Sequence, residues 1–164
     1  MLAATIAGVI ATLVAGIIAV AHHNLEARRV HVRQFEEFHL ERYWKLLDDC
    51  PYEALAYCIP CRTDVIDGDL KKACLLYLRL CESQCEMRRR GDVSDRTWNA
   101  WVERMAGWLT RWPTKQVWKE VRESPGQFNN LRELEHAYKP TEYDPCPHGE
   151  FWRWKRGLRR YREG

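Results

Sequence analysis

The chain opens on a run, residues 2–20, that carries no charge and nothing more polar than Thr5 and Thr12. A helix rises about 1.5 Å per residue, so this run is about as long as the roughly 30 Å hydrocarbon core of a bilayer. Nine of its residues are Leu, Ile or Val. At about −0.3 to −0.6 kcal/mol each they favour insertion into lipid by roughly 3 to 5 kcal/mol. A soluble helix keeps a polar face, and this run has none. A cleaved secretion signal is the competing reading, because Ala19-Val20-Ala21 has the small-x-small form of a cleavage site. No Lys or Arg precedes the run, however, and it is longer than the usual apolar region of a signal. The positive charge follows it instead: Arg28, Arg29 and Arg33, flanked by His22, His23 and His31. The run is therefore expected to be a permanent anchor. Lys and Arg close to a span stay in the cytoplasm, so a single-pass topology is expected, with the N-terminus outside and the C-terminal domain cytoplasmic.

Within the anchor, Ala4, Gly8, Ala11, Ala15 and Ala19 recur at spacings of four, three, four and four. They share one helical face, and a face of small residues lets two helices approach closely in lipid. Self-association into a homo-oligomer is expected through it.

The remainder of the chain has the composition of one modest folded domain. Charged residues make up 30% and apolar ones 46%, which is globular rather than disordered. A net charge of +3 is too small by itself to nominate nucleic acid as a partner. The seven cysteines should be reduced thiols in a cytoplasmic domain.

Helical signals follow one another along the whole chain. No Gly or Pro occurs between Gly16 and Pro51, so the anchor helix is expected to continue to about Asp48 as a rod of roughly 70 Å. Pro51 and Pro60 bracket a short turn or loop, and a linker follows with Asp69 as a candidate N-cap. The next helix is predicted over 70–89, ended by Gly91, with arginines in its last turn. Ser94 caps a further helix that Pro113 terminates. In it Trp98, Trp101, Met105, Trp108 and Trp112 form one aromatic stripe, expected to be core. Thr114 opens another helix. Ser124-Pro125-Gly126-Gln127 reads as a capping box opening the last one. No segment alternates with period two. The fold class is all-α: a long N-terminal transmembrane helix continuing into a small cytoplasmic helical bundle. Its parts are an anchor at 1–21, a juxtamembrane helix at 22–50, a helical domain at 51–140, and a loop and basic aromatic tail at 141–164.

Candidate sites are few. Cys58 and Cys61 are spaced to bind one metal ion or to form a redox pair, and Cys146 or His148 could complete a zinc site. Cys74, Cys81 and Cys85 fall on one helical face and read as small buried hydrophobes. Arg33 and His39 have the loose spacing of a HEPN ribonuclease motif, in which His would act as base and Arg would hold phosphate. The competing reading is two solvated residues on a juxtamembrane helix. The closing stretch mixes Trp152, Trp154, Phe151 and Tyr161 with Arg153, Lys155, Arg156, Arg159 and Arg160. Such a mixture suits an anionic membrane surface, single-stranded nucleic acid or simple solvation.

Three stretches together are similar in layout to one family: the anchor followed by ARRVHVRQF, the helix ending LYLRLCESQCEMRRRGDVSDRTWNAW, and WPTKQVWKEVRESPGQFNNLRELE. They resemble bacterial single-pass membrane proteins of the DUF4760 type and related families labelled as phage abortive infection proteins. The resemblance spans residues 1–137 and implies a bacterial inner-membrane protein acting in phage defence or stress. It brings no catalytic residues with it. The expectation is a non-enzymatic, membrane-anchored, self-associating scaffold, signalling or membrane-perturbing effector without a required cofactor. The alternative is a membrane-tethered HEPN-like ribonuclease or RNA-binding accessory protein.

Overall fold

In the computed structural model the described residues are 2–48, 66–156 and 158, with side chains described from residue 8 onward. They form six α-helices and no strand: α1 (Leu2–Asp48), α2 (Gly68–Arg90), α3 (Asp95–Thr110), α4 (Thr114–Val121), α5 (Asn129–His136) and α6 (Glu150–Lys155). A single 3-10 turn, Pro140–Glu142, lies between α5 and α6.

The 47 residues of α1 are unbroken, as the absence of Gly and Pro after Gly16 requires. Its two ends face different surroundings. Residues 8–20 are uncovered: Leu13, Ile17 and Ile18 are 61%, 68% and 62% exposed. From residue 35 onward the helix docks on α2 and α3. His39 is buried, with its ring 5.8 Å from that of Trp101. Tyr43 lies 6.3 Å from Tyr77, with the Arg104 guanidinium over its ring. The Glu36 carboxylate accepts the Ser94 backbone N–H at 2.8 Å, at the start of α3.

The core lies between α2, α3, α4 and α5. Cys74, Leu78, Cys81 and Cys85 of α2 meet Trp98, Trp101, Met105 and Trp108 of α3, with Val117, Trp118, Leu131 and Leu134 completing the cluster. The tryptophan stripe is core, except that Trp112 is only half-buried.

Capping shows where local signals suffice. Ser94 caps α3 by accepting the Thr97 N–H. Gly91 ends α2 in the left-handed conformation at φ 79°, its N–H and that of Asp92 donating to Arg88 and Met87 carbonyls. Asp67, rather than Asp69, caps α2, its carboxylate accepting from Leu70 N–H at 2.7 Å. Residues 124–127 do not open α5: they form a turn with Gly126 at φ 71°, and the helix starts at Asn129. The cap comes from elsewhere in the chain. Glu82 of α2 accepts from the backbone N–H groups of Asn130 and Leu131, both at 3.0 Å. A carboxylate is a stronger partner for a helix N-terminus than a neutral glutamine.

A basic cleft as the candidate functional site

The stretch after α5, read from sequence as a loop and tail, is fastened to the core at four points. The Trp98 indole donates to the Tyr143 carbonyl at 2.8 Å. Arg88, 1% exposed, forms the second point: its Nε and Nη2 donate to the two Asp144 oxygens at 2.9 and 2.5 Å. The same guanidinium reaches the Val93 carbonyl at 2.9 Å and Asp95 at 2.8 Å. Third, Arg153 of α6 donates to Asp144 at 2.9 Å. Fourth, the Asp95 N–H donates to the carbonyl of Leu158, which is itself buried. Burial alone would raise the Asp144 pKa; the Arg88 hydrogen bonds, the Cys146 N–H and the nearby guanidinium charges outweigh it and hold it below the usual carboxylate range.

Trp152 completes the attachment. Its ring comes within 2.8 Å of where a β-carbon on Gly91 would sit. The His148 ring stacks on it with centroids 3.5 Å apart, and the Arg156 guanidinium lies 4.0 Å from its centre. Gly91 is thus required twice, for its positive φ and for the space its missing side chain leaves to the indole.

This attachment brings α6 alongside α1 and opens a cleft of about 1520 Å³ between them. Arg28, Arg29 and Arg33 line it from α1, Arg96 from α3, Lys155 from α6 and Arg156 from the C-cap of α6, with Leu25, Val32, Trp152 and Trp154 between them. The walls meet at the Glu36–Ser94 hydrogen bond, and both residues line the cleft. Six cations thus face two carboxylates, Glu26 and Glu36. Glu26 pairs with Arg29 at 2.5 Å. Among the described residues no carboxylate pairs with Arg28, Arg33, Arg96 or Lys155.

The sequence-predicted residues separate here. Trp152, Trp154, Lys155 and Arg156 line the cleft, whereas Arg153 is held in the Arg88–Asp144–Asp95 network and is 21% exposed. Arg159 and Arg160 lie outside the described residues. Arg28, Arg29 and Arg96 are members that no local pattern in the tail could reveal. They were visible in sequence only as a positive flank and as an isolated arginine.

Arg33 and His39 do not converge. Six residues on one helix place them about 120° apart around the axis. Arg33 is exposed in the cleft, while His39 is 3% exposed on the core side. Its Nδ1 is 3.0 Å from the Phe35 carbonyl and its Nε2 3.4 Å from Ser83 Oγ.

Cys74, Cys81 and Cys85 are buried and in no disulfide. Burial pushes the Cys81 thiol up to about 12 and raises that of Cys85, so both are protonated and unreactive near neutral pH. Cys146 is a half-buried free thiol whose N–H donates to Asp144, and His148 is stacked on Trp152. Among the described residues no three His, Cys, Asp or Glu side chains converge as metal ligands. Cys58 and Cys61 lie outside them.

The small residues of α1 face open space. A β-carbon on Gly8 or Gly16 would meet nothing within 4 Å, and Ala11, Ala15 and Ala19 are exposed. The side chain of Ala4 lies outside the described residues. Among the described residues one helix, α1, is long and apolar enough to cross a membrane. No protein-family model, curated protein or solved structure matches the chain.

Proposed function

We propose that this chain is a membrane-anchored, non-enzymatic helical scaffold or signalling element of the inner membrane, with its folded domain in the cytoplasm. The observation that carries the reading is the continuity of α1. The same helix is uncovered and apolar over residues 8–20 and part of the domain core by residue 39. An apolar surface of this length with no protein cover calls for an apolar solvent. A cleaved signal would be removed from a helix that the domain itself continues.

The positive flank, Arg28, Arg29 and Arg33, supports a cytoplasmic domain. The uncovered face of Ala4, Gly8, Ala11, Ala15 and Ala19 supports assembly with further copies in the bilayer. A role in phage defence rests on the resemblance in layout alone. Ribonuclease chemistry at Arg33 and His39 lacks a common site, since the imidazole is turned into the core.

The test is made on the full chain expressed in bacteria. Expected results are retention in the membrane pellet after alkaline carbonate extraction, an N-terminus ahead of His22, and protection of the domain from protease added outside spheroplasts. Release by carbonate, a mature chain starting at His22, or digestion from outside would overturn the reading.

A further inference from the structure

We propose that the cleft between α1 and α6 is a binding site for the headgroup of an anionic phospholipid, taken from the leaflet on the domain's side of the membrane. The inference rests on the anchored reading above and adds a ligand to it. The chemistry it assigns is recognition of a phosphodiester oxyanion by guanidinium and ammonium groups, with aromatic rings against the upper acyl chains.

Position is the first argument. The residues that line the cleft begin at Ala21, one residue beyond the apolar run, and continue along α1 to Glu36. The polar layer of a bilayer adds about 5 to 8 Å on each side of the hydrocarbon core. At about 1.5 Å per residue, Ala21 to Leu25 lies at headgroup depth and Arg28 just beyond it. Arg side chains reach back to the interface along their apolar stems. The cleft therefore starts inside the headgroup layer.

Charge is the second. Of the six cations in the cleft, five have no carboxylate partner among the described residues: Arg28, Arg33, Arg96, Lys155 and Arg156, the last lying over the Trp152 ring. They come from three separate helices, and only the docking of α6 through Arg88, Asp144 and Trp152 brings them to one space. Such convergence leaves mutual repulsion among the cations that an anion would relieve.

Aromatic content is the third. Trp154 lines the cleft and is 52% exposed; the Phe151 ring, 74% exposed, lies 6.1 Å from it on α6, outside the cleft lining. Tryptophan beside cations at the edge of a span is the arrangement favoured at the membrane interface. Inorganic phosphate would use the cations and gain nothing from these rings. Single-stranded RNA would use both, but a wall formed by the end of the membrane span favours a ligand already in the membrane.

The full chain in a neutral detergent is titrated with dihexanoyl phosphatidylglycerol below its micelle concentration. Parallel titrations use dihexanoyl phosphatidylcholine, inorganic phosphate and a ten-nucleotide single-stranded RNA, all read by calorimetry. Saturable binding of phosphatidylglycerol is expected, weakening as salt rises, with phosphatidylcholine and phosphate each at least tenfold weaker. A triple variant, Arg33→Gln, Arg96→Gln and Lys155→Gln, removes one cation from each wall at exposed positions. It should weaken phosphatidylglycerol by about a hundredfold, from on the order of 1 kcal/mol per cation. The control is Arg79→Gln, Lys115→Gln and Lys119→Gln, an equal charge change on exposed positions away from the cleft. Far-UV circular dichroism is matched across the variants. Equal loss in both triples, phosphate competing as well as the lipid, or RNA binding more tightly than the lipid through the same residues would each overturn the proposal. Binding in detergent is independent of topology, so its failure is distinguishable from failure of the anchor, which carbonate extraction reads.

Discussion

The two halves of α1 make the most instructive comparison in the molecule. Residues 8–20 and 36–47 belong to one unbroken helix, yet the first is a bare apolar cylinder and the second a docked core element. The difference is not one of helix-forming tendency. It lies in what each half offers its surroundings. The first half has no polar face and no covering element. The second has an irregular stripe, and His39, Tyr43 and Leu47 turn it toward α2 and α3. A single helix can thus carry two unrelated surfaces: an uncovered apolar one over residues 8–20, and one packed against neighbours with hydrogen bonds such as Glu36 to Ser94.

Perturbations that strike one half and spare the other should separate these contributions. The largest effect is expected from Arg88→Met. It removes the buried guanidinium and leaves Asp144 and Asp95 without their principal partner. Breaking a buried pair from one side costs about 3 to 5 kcal/mol. Both carboxylates are partly exposed, so about 3 kcal/mol is expected for the domain. Denaturant unfolding of the detergent-solubilised chain measures it, while carbonate extraction should be unchanged. If membrane retention fell in step with the domain, the two halves would not be independent.

A smaller loss, about 2 kcal/mol, is expected from Gly91→Ala. A β-carbon at positive φ costs about 1 kcal/mol, and the new methyl would press on the Trp152 ring. The loss should be local. Limited proteolysis should open the 143–158 segment first, before the core between α2 and α3 yields.

Smallest for the domain, and decisive for the anchor, is Gly8→Ile. Nothing lies within 4 Å of the new side chain in one chain, so domain stability should shift by less than about 0.5 kcal/mol. If the small-residue face holds copies together, light scattering of the detergent-purified protein should show a smaller particle. Unchanged size would remove that face from the account of assembly.

How much of this was legible in the sequence differs between the parts. The length of α1, the cap at Ser94, the stop at Gly91 and the tryptophan core follow from local rules: hydropathy, spacing and the conformational freedom of glycine. The start of α5 did not, because its cap is Glu82, nearly fifty residues away, and no local motif encodes a partner at that distance. The candidate site was half legible. The basic aromatic composition around Trp154 and Lys155 was visible. That Arg153 would be withdrawn into a buried network, and that Arg28, Arg33 and Arg96 would join the tail in one cleft, was not.

The sequence by itself determined that the fold class is all-α and that its first helix is long and apolar enough to cross a membrane, because both properties depend on side chains acting over a few turns of helix. Only the tertiary structure decided which cations face one another. That choice turns on Arg88 reaching Asp144 and on Trp152 occupying the space beside Gly91. These contacts join residues more than fifty positions apart, and they exist only once α6 has folded back onto the turn between α2 and α3.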